Sequence, residues 1–167
     1  RTQEGGLQHL TTHSENPEQL WDDTLYMTVL FLLKASQLLQ VPAWQEEAVY
    51  QILLHIKYLH SPKNALWYHG FHFTGRHHFA SAYWARGNSW ITSAIPDMLE
   101  LLPQNGTSRF IRETWQAQCK ELIRLQDKTT GLWNTLLDYP DSYLETSASA
   151  AIAYGLLKGV RLGWLDS

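Results

Sequence analysis

The sequence predicts an all-α fold, a toroid of helical hairpins, on the basis of two observations. First, five helix-like segments alternate in character along the 167 residues: the first, third and fifth are apolar almost all round, and the second and fourth are amphipathic. A helix that is apolar all round must be covered on every side, whereas an amphipathic helix turns one face to water. Second, a short loop motif recurs ahead of each apolar helix. A ring with apolar helices inside and amphipathic helices outside satisfies both observations.

The three apolar segments are the predicted inner helices. The first is Leu20–Leu39, the third is Asn88–Leu102, in which Pro96 is expected to cause a kink, and the fifth is Thr146–Leu157. The segments between them are the predicted outer helices, because their apolar residues recur at helical spacing opposite charged ones. They cover Ala43–His60, with Pro42 near its start, and Arg109–Gln126.

The recurring loop motif suggests a repeat of loop, inner helix and outer helix. It reads Gly6-Leu7, then Ala65-Leu66-Trp67, then Gly131-Leu132-Trp133, so its leucines are 66 − 7 = 59 and 132 − 66 = 66 residues apart. Three hairpins of which the last lacks its outer helix cannot close a ring, and the open edges would expose apolar surface. We therefore expect residues 1–167 to form part of a single domain with no internal boundary. Hairpins from the rest of a longer polypeptide or from another chain would complete it.

Composition and charge argue against several partners and indicate the cellular location. The net charge is −3 and there is no basic stripe, which argues against nucleic acid and anionic membrane surfaces. No segment reaches the roughly 18–20 apolar residues of a membrane span. The single cysteine, Cys119, excludes an intrachain disulfide framework. No signal peptide is visible, and the expected location is the cytoplasm, although the chain starts at Arg1 without a methionine.

The candidate site is the mouth at which the inner helices begin. In a ring of antiparallel hairpins these starts lie together, here residues 20–24, 83–90 and 143–149, and each is polar or aromatic where the helix body is apolar. Helix N-termini favour anions, and eight Trp and eight Tyr offer flat faces for sugar rings. The mouth therefore suits a negatively charged sugar.

Two adjacent carboxylates, Asp22 and Asp23, open the first inner helix. Consecutive helical residues point about 100° apart, so we expect only one of them to face a substrate. Asp22 is expected to cap the helix and Asp23 to reach into the cavity. A working acid would need a raised pKa, which burial beside Trp21 and a second carboxylate would favour.

Other candidates lie at the second mouth segment and in the histidine-rich loop between residues 65 and 85. Arg86 follows an aromatic pair and precedes an apolar helix, so we expect it to be largely buried and to have an anionic partner. Trp90 lies four residues later, a spacing that places it on the same helix face as Arg86. His69, His72, His77 and His78 resemble a metal cluster, but no cysteine or carboxylate lies near them in the sequence. We predict no metal and no cofactor, a hydrogen-bonding role for His69, and no function for His77 and His78.

Several motifs together resemble the unsaturated rhamnogalacturonyl hydrolases, glycoside hydrolase family 105. They are GGLQH, QLWDDTLYMTVLF, LWYHGF, WARGNSW followed by IPDMLELL, and GLWNTLLDYPDSYLETSASAAIAYGLLKGVR. They run in the family's order and cover nearly the whole chain. The resemblance implies an (α/α)6 toroid of twelve helices, of which this chain supplies roughly the middle half.

The resemblance also implies a reaction. The family hydrates the ring double bond of an unsaturated uronic acid: an aspartate protonates the alkene and helps to activate water, and the hemiketal product opens and releases the aglycone, without a metal. By motif, Asp23 is similar to that aspartate. The positions that match substrate contacts are Trp21, His69, Trp84, Arg86, Trp90 and, more weakly, His9. Arg86 is the candidate for holding the uronate carboxylate, and the family's second aspartate, on an earlier helix, has no counterpart here.

Three functions therefore compete. The first is a glycosidase acting on a small unsaturated galacturonyl–rhamnose oligosaccharide. The second is an unsaturated glucuronyl hydrolase acting on another polysaccharide, with the same chemistry and fold. The third is a non-catalytic helical fragment that binds carbohydrate at the aromatic mouth but lacks the second carboxylate.

Overall fold

The computed structural model describes residues 1–166, which form helices joined by loops that carry a small sheet. The helices are α1 (Asp22–Thr24), α2 (Leu30–Leu39), α3 (Pro42–Leu59), α4 (Ala85–Leu101), α5 (Gly106–Leu125) and α6 (Thr146–Arg161), and Leu25–Val29 is a π-helical segment between α1 and α2. The strands are β1 (Gln19–Trp21), β2 (Gly70–His72) and β3 (His77–His78), which pair antiparallel in the order β1-β2-β3. The prediction of a helical protein is confirmed.

The helix limits lie close to the predicted ones, and the exceptions have local causes. The first inner helix is the continuous run α1, π-helical segment and α2, and it starts after Trp21 because that residue is extended and paired with Gly70 in the sheet. Helix α3 carries Pro42 at its first turn, as predicted. Helix α5 starts earlier than predicted, because the Asn105 side chain accepts from the backbone of Ser108 and the Ser108 hydroxyl accepts from the backbone of Asn105.

Burial separates the three inner helices. Helix α4 is enclosed on almost all sides, as predicted, between the first inner helix, α5 and α6. The first inner helix and α6 are enclosed on one side only: Phe31 is 70%, Leu38 82% and Leu157 70% exposed. The prediction that these two helices are buried all round is therefore wrong for residues 1–166. Within this part of the chain they have inner and outer neighbours on one flank alone, so their other apolar flanks face solvent.

The loop repeat is visible in the backbone geometry. In each of the three loops a residue with positive φ is followed by one whose carbonyl accepts a backbone hydrogen bond from the loop start. The positive-φ residues are Gly5, Ala65 and Gly131, at 76°, 58° and 74°, and the bonds are Thr2 to Gly6, Ser61 to Leu66 and Asp127 to Leu132, at 2.9, 2.8 and 2.9 Å. The repeat is confirmed, with one correction. Gly6 is equivalent to Leu66 and Leu132, so Leu7 aligns with the two tryptophans.

The second and third loops also accept a backbone hydrogen bond from the start of the inner helix that precedes them in the sequence. The backbone N–H of Asp22 donates to the carbonyl of His69 at 3.0 Å, and that of Ala85 donates to the carbonyl of Thr135 at 2.8 Å. His69 and Thr135 are the second residues after the two equivalent tryptophans, so these contacts repeat one another. A loop distant in sequence thus lies across the N-terminus of an inner helix in both places.

Two further expectations concern individual features. Cys119 is a free, buried cysteine, and burial raises the pKa of its thiol. Among residues 1–166, no helix combines the length and the apolar character needed to cross a membrane.

Candidate active site

The starts of the three inner helices lie side by side. Oδ2 of Asp22, in α1, lies where a side chain on Gly87, in the first turn of α4, would be: a Cβ built there would be 2.0 Å from it. In turn, Arg86 in α4 forms an ion pair with Glu145, the residue immediately before α6. The first contact joins the first and second helix starts, and the second joins the second and third.

Asp22 is fully buried, and it does not cap its helix as predicted. Its Oδ1 lies 2.8 Å from Nδ1 of His69, and its Oδ2 has no hydrogen-bond partner in the described part of the chain. No side chain caps α1. The capping prediction is wrong because the sheet already places the His69 backbone over the helix end, which turns the Asp22 carboxylate inward. Burial raises the pKa of this carboxyl to about 8, and the neighbouring Asp23 adds to the rise, while His69 opposes it.

Asp23 faces the same imidazole. Its Oδ2 lies 3.5 Å from Nδ1 of His69, is buried, and has no hydrogen-bond partner within residues 1–166. Both aspartates therefore contact His69, but the side chain of Asp22 is 0% exposed and that of Asp23 is 15% exposed, so the expectation that only one of them faces a substrate stays a prediction. Burial lowers the pKa of the His69 imidazole, but the hydrogen bond and charge of Asp22, with the charge of Asp23, outweigh this effect and raise it.

These three side chains also satisfy the distances of a metal site. Asp22, Asp23 and His69 each offer one ligand atom, and these atoms lie within 4.8 Å of one another. However, a nitrogen that binds a metal carries no proton, whereas two electronegative atoms 2.8 Å apart share one. The nitrogen concerned, Nδ1, is the only ring nitrogen that faces the carboxylates. The 2.8 Å contact is that of a hydrogen bond, and the absence of a metal stays a prediction.

Aromatic rings continue from this cluster across the mouth. His9 stacks on Trp21 with ring centroids 4.6 Å apart, and its Nδ1 lies 3.0 Å from the hydroxyl of Thr24. The His69 ring meets the rings of Trp21 and Trp84 edge-on at 5.0 and 4.8 Å. A cavity of about 300 Å³ lies against His69 and Trp84, and Phe79 closes another of its sides. His9, Trp21, His69 and Trp84, all predicted contact residues, thus form one continuous surface.

Arg86 lies next to Trp84, but it is not as buried as expected. Its guanidinium carbon lies 5.0 Å from the centre of the Trp84 ring, and its side chain is 41% exposed. The expected anionic partner is Glu145, whose Oε1 accepts from Nε at 2.5 Å. Burial raises the pKa of Glu145, but hydrogen bonds from Thr135, Ser147 and Arg86 outweigh it and lower the pKa. Glu145 is therefore a fixed anion.

Trp90 lies farther along α4, one turn beyond Arg86. Its ring packs on Tyr26 of the π-helical segment, with centroids 5.0 Å apart. Its indole Nε1–H is buried without a hydrogen-bond partner in the described chain. A buried N–H normally has an acceptor, so this donor is an exception among the described residues, and a substrate contact of Trp90 stays a prediction.

The remaining histidines do not join this cluster. His72 and His77 stack on each other at 5.7 Å across the β2–β3 hairpin, and the His78 ring stacks on Tyr68 at 3.8 Å. Nε2 of His78 lies 2.8 Å from the carbonyl oxygen of Tyr58. These contacts give His78 a structural place that the sequence did not predict.

Three site residues were not predicted as such: Asp22, Phe79 and Glu145. Asp22 was seen but was assigned to the helix end. Glu145 immediately precedes the third inner helix, as Trp21 and Trp84 precede the first and second. This shared position was the sequence feature that could have identified Glu145 as a site residue. No sequence feature identified Phe79, because it reaches the site only through the sheet, where its ring packs against Gly70. A Cβ built on Gly70 would be 2.1 Å from that ring.

Comparison with characterised proteins identifies relatives of this chain. The chain is 38% identical over 162 residues to the unsaturated rhamnogalacturonyl hydrolase YesR of Bacillus subtilis, a match that covers 95% of this chain and 47% of that protein. It is 29% identical over 156 residues to an unsaturated 3S-rhamnoglycuronyl hydrolase of an Alteromonas species, covering 87% and 36%. The chain thus spans about half or less of the length of these relatives.

Solved structures and a family model agree. A possible member of the GH105 family from Salmonella enterica superposes with a TM-score of 0.96 at 51% identity, covering 100% of this chain and 45% of that one. An unsaturated glucuronyl hydrolase from a Bacillus species has a TM-score of 0.77 at 22% identity, covering 98% and 45%, which shows a shared fold. The resemblance to family 105 is confirmed, and because the family model matches residues 1–167, this chain belongs to Glycosyl Hydrolase Family 88.

Proposed function

We propose that this chain forms part of the active site of a glycosidase that hydrates the ring double bond of an unsaturated uronyl oligosaccharide, with Asp23 as acid and base. The observation that carries the proposal is the cluster at the mouth, where Asp23, His69 and the aromatic surface meet Arg86. Two relatives in the same family are named as hydrolases of unsaturated rhamnogalacturonyl or rhamnoglycuronyl sugars. A small unsaturated galacturonyl–rhamnose oligosaccharide is the substrate we favour.

The geometry supports a division of labour. The guanidinium of Arg86, whose Nε is occupied by Glu145, would hold the uronate carboxylate with its remaining N–H groups. The sugar ring would lie on Trp21 and Trp84, which flank His69. The carboxyl group of Asp23, whose side chain is 15% exposed beside His69, would then face the double bond.

In the proposed reaction, the carboxyl of Asp23 gives its proton to one alkene carbon, and the oxygen of a water molecule bonds to the other. That water returns a proton to Asp23, so one water is added in total and the carboxyl is regenerated. The product is a hemiketal, which opens and releases the neighbouring sugar. Proton transfer from a positioned side chain typically accelerates a reaction by about 10²–10⁴-fold.

The test is a direct assay of the double bond. The longest form of the protein that its gene encodes is mixed with a lyase-derived unsaturated disaccharide, and the ultraviolet absorbance of the conjugated carboxylate is followed. Loss of absorbance with release of rhamnose supports the proposal. Unchanged absorbance across a panel of unsaturated galacturonyl and glucuronyl substrates contradicts it.

Two alternatives have their own support. The fold shared with an unsaturated glucuronyl hydrolase favours that substrate as the second candidate, and the substrate panel separates the two. A non-catalytic carbohydrate-binding fragment is the third, since the mouth keeps its aromatic surface. Binding of the disaccharide without loss of absorbance would favour it.

The architecture around this site belongs to the same proposal. The exposed apolar flanks of α2 and α6, together with the partial coverage of longer relatives, support a single (α/α)6 toroid in which residues 1–167 have no internal boundary. Further hairpins, from the same polypeptide or another chain, would cover Phe31, Leu38 and Leu157. We keep the cytoplasm as the proposed location, with no nucleic acid or membrane partner.

A further inference from the structure

The buried Asp22 has no place in the reaction proposed above, yet it is the titratable group whose side chain lies closest to His69. Its Oδ1 lies 2.8 Å from Nδ1 of the imidazole, closer than the 3.5 Å that separates Asp23 from the same atom. The side chain of Asp22 is 0% exposed, so it cannot touch a substrate. Any effect that it has on the chemistry must pass through His69.

The contact fixes which edge of the imidazole faces inward. With Nδ1 turned to Asp22, the other nitrogen, Nε2, lies on the far side of the ring and makes no hydrogen bond within residues 1–166. His69 is about a quarter exposed and lines the cavity beside Trp84 and Phe79. Nε2 is therefore the ring atom available to a sugar hydroxyl or carboxylate in that cavity.

The second helix start provides the space that Asp22 needs. A Cβ built on Gly87 would be 2.0 Å from Oδ2 of Asp22 and 2.9 Å from its carboxyl carbon. Even alanine at this position would displace the carboxylate, because real Cβ atoms essentially never approach this closely. Gly87 lies in the first turn of α4, so the residue that admits Asp22 and the residue Arg86 beside it occupy the same turn.

We propose that Asp22 is a positioning residue: its buried carboxylate shares a proton with Nδ1 of His69 and so holds Nε2 toward the substrate cavity as a hydrogen-bond donor, and Gly87 provides the space that this pair requires. The inference rests on the proposed function for the identity of the substrate, but the Asp22–His69–Gly87 arrangement exists without substrate. It follows the general logic by which a buried carboxylate orients a histidine and sets its tautomer.

The chemistry of the pair explains why a carboxylate is needed. While the pair holds two protons, either the carboxyl of Asp22 donates to a bare Nδ1 or its carboxylate accepts from a doubly protonated ring, and Nε2 keeps its own proton in both arrangements. An amide at position 22 cannot exchange a proton with the ring. In Asp22→Asn the ring has no carboxyl group with which to share a proton. The imidazole therefore loses one of its two protons, and Nε2 becomes a bare acceptor, at a lower pH than in the wild type.

The test reads the protonation of His69 directly, in the longest form of the protein that its gene encodes and without substrate. Histidine is labelled with ¹⁵N, the His69 signals are assigned with His69→Gln, and long-range proton–nitrogen correlation spectra are recorded across a pH titration. In the wild type we expect Nε2 to keep its proton, and Nδ1 to share a second proton with Asp22, to a higher pH than in an exposed histidine such as His13. In Asp22→Asn and in Gly87→Ala, the loss of the second proton should shift to lower pH.

A matched glycine serves as the control. Gly106→Ala also adds a methyl group in the first turn of a helix, but nothing lies within 4 Å of the added carbon, so His69 should titrate as in the wild type. If the wild-type His69 already titrates like His13, the proposal is overturned, even if neither variant at the pair folds. An unshifted His69 in a folded Asp22→Asn protein also overturns it.

Turnover provides the second readout and separates this inference from the proposed function. In an active enzyme, Asp22→Asn should lower kcat/KM by about 10–100-fold and move the alkaline limb of its pH profile to lower pH, as is typical when a supporting partner is removed. If no unsaturated uronyl substrate is turned over by the wild type, the proposed function fails, while the His69 titration still decides whether Asp22 positions the ring.

Discussion

The Nε–H of Arg86 donates a hydrogen bond to Oε1 of Glu145 across 2.5 Å, at the point where the second and third inner helices begin. The two partners differ in exposure: the side chain of Glu145 is 5% exposed and that of Arg86 is 41% exposed. Thr135 and Ser147 hold the same carboxylate with bonds of 2.7 and 2.8 Å. Glu145 is therefore a fixed anion that holds the Nε edge of the guanidinium in one orientation.

This orientation predicts the effect of Arg86→Lys. A lysine keeps the positive charge but loses the planar fork, so it cannot bond Glu145 and a substrate carboxylate in the same geometry. We expect KM for an unsaturated uronyl disaccharide to rise about 10–100-fold, as for the loss of one charge-assisted hydrogen bond. Steady-state kinetics with the disaccharide and with its methyl ester would measure this, and the ester should respond much less.

The control for this substitution is Arg109→Lys. Arg109 is exposed on α5, and its ion pair with Glu113 is long, at 3.5 Å, so KM should stay as in the wild type. An equal rise in KM for the acid and its ester in Arg86→Lys would show that Arg86 does not hold the carboxylate.

The role of Asp23 predicts the effect of Asp23→Asn. The amide has the same shape but cannot transfer a proton, so kcat should fall by about 10²–10⁴-fold with a small change in KM. Asp141→Asn is the matched control, because Asp141 is exposed in the loop before α6. Turnover of Asp23→Asn close to that of Asp141→Asn would remove Asp23 from the mechanism.

The pattern of apolar residues was sufficient to predict the helices, because helix periodicity is a local property. It did not predict the sheet that joins Trp21 to Gly70, which depends on a contact between distant segments, or the π-helical segment at Leu25–Val29, which an apolar pattern does not distinguish from an α-helix. The apolar residues of α2 and α6 were predicted to be buried, but several of them are exposed in the described chain. They are exposed here because the described chain provides neighbours on one flank only.

The sequence predicted most residues of the candidate site but not the hydrogen bonds between them. Motifs pointed to Asp23, His69 and Arg86, yet sequence alone could not show that Asp22 bonds His69 or that Glu145 bonds Arg86. Both partners come from a neighbouring repeat, 47 and 59 residues away in the sequence. Glu145 lay within the predicted mouth segment 143–149, but nothing in that segment singled it out as the partner of Arg86.

The contact between α4 and α6 predicts the effect of Gly155→Ala on stability. A Cβ on Gly155 would be 2.3 Å from the backbone carbonyl oxygen of Thr92, and a backbone atom cannot move aside as a side chain can. Overpacking of this kind typically costs about 1–3 kcal/mol, so urea denaturation should show a lower midpoint. Gly106→Ala, which meets open space, should not lower it. Equal midpoints in the two variants would show that the helices separate easily.

The burial of Asp22 predicts how stability depends on pH. In the folded state the pKa of Asp22 is raised from 3.8 to about 8, so between these values the folded protein holds a proton that the unfolded chain has released. The contribution of this group to the free energy of unfolding is therefore largest at low pH and is lost as the pH rises toward 8. His69 adds no separate proton to this contribution, because the pKa of its imidazole is raised by the bond to the same carboxyl group, with which it shares one proton.

Other groups titrate in the same range, so the quantity to measure is the difference between the wild type and Asp22→Asn. His55 is buried, and its pKa is lowered from 6.5 to about 4, so its contribution to the free energy of unfolding is lost as the pH falls. This loss is the same in both proteins. Urea denaturation at about pH 5 and about pH 8 should show the wild-type advantage over Asp22→Asn falling by about 1 kcal/mol or more, since one unit of pKa shift is worth about 1.4 kcal/mol. A difference that is constant or grows with pH would mean that Asp22 is ionised in the folded protein, and that its carboxylate is stabilised by contacts stronger than the one to His69.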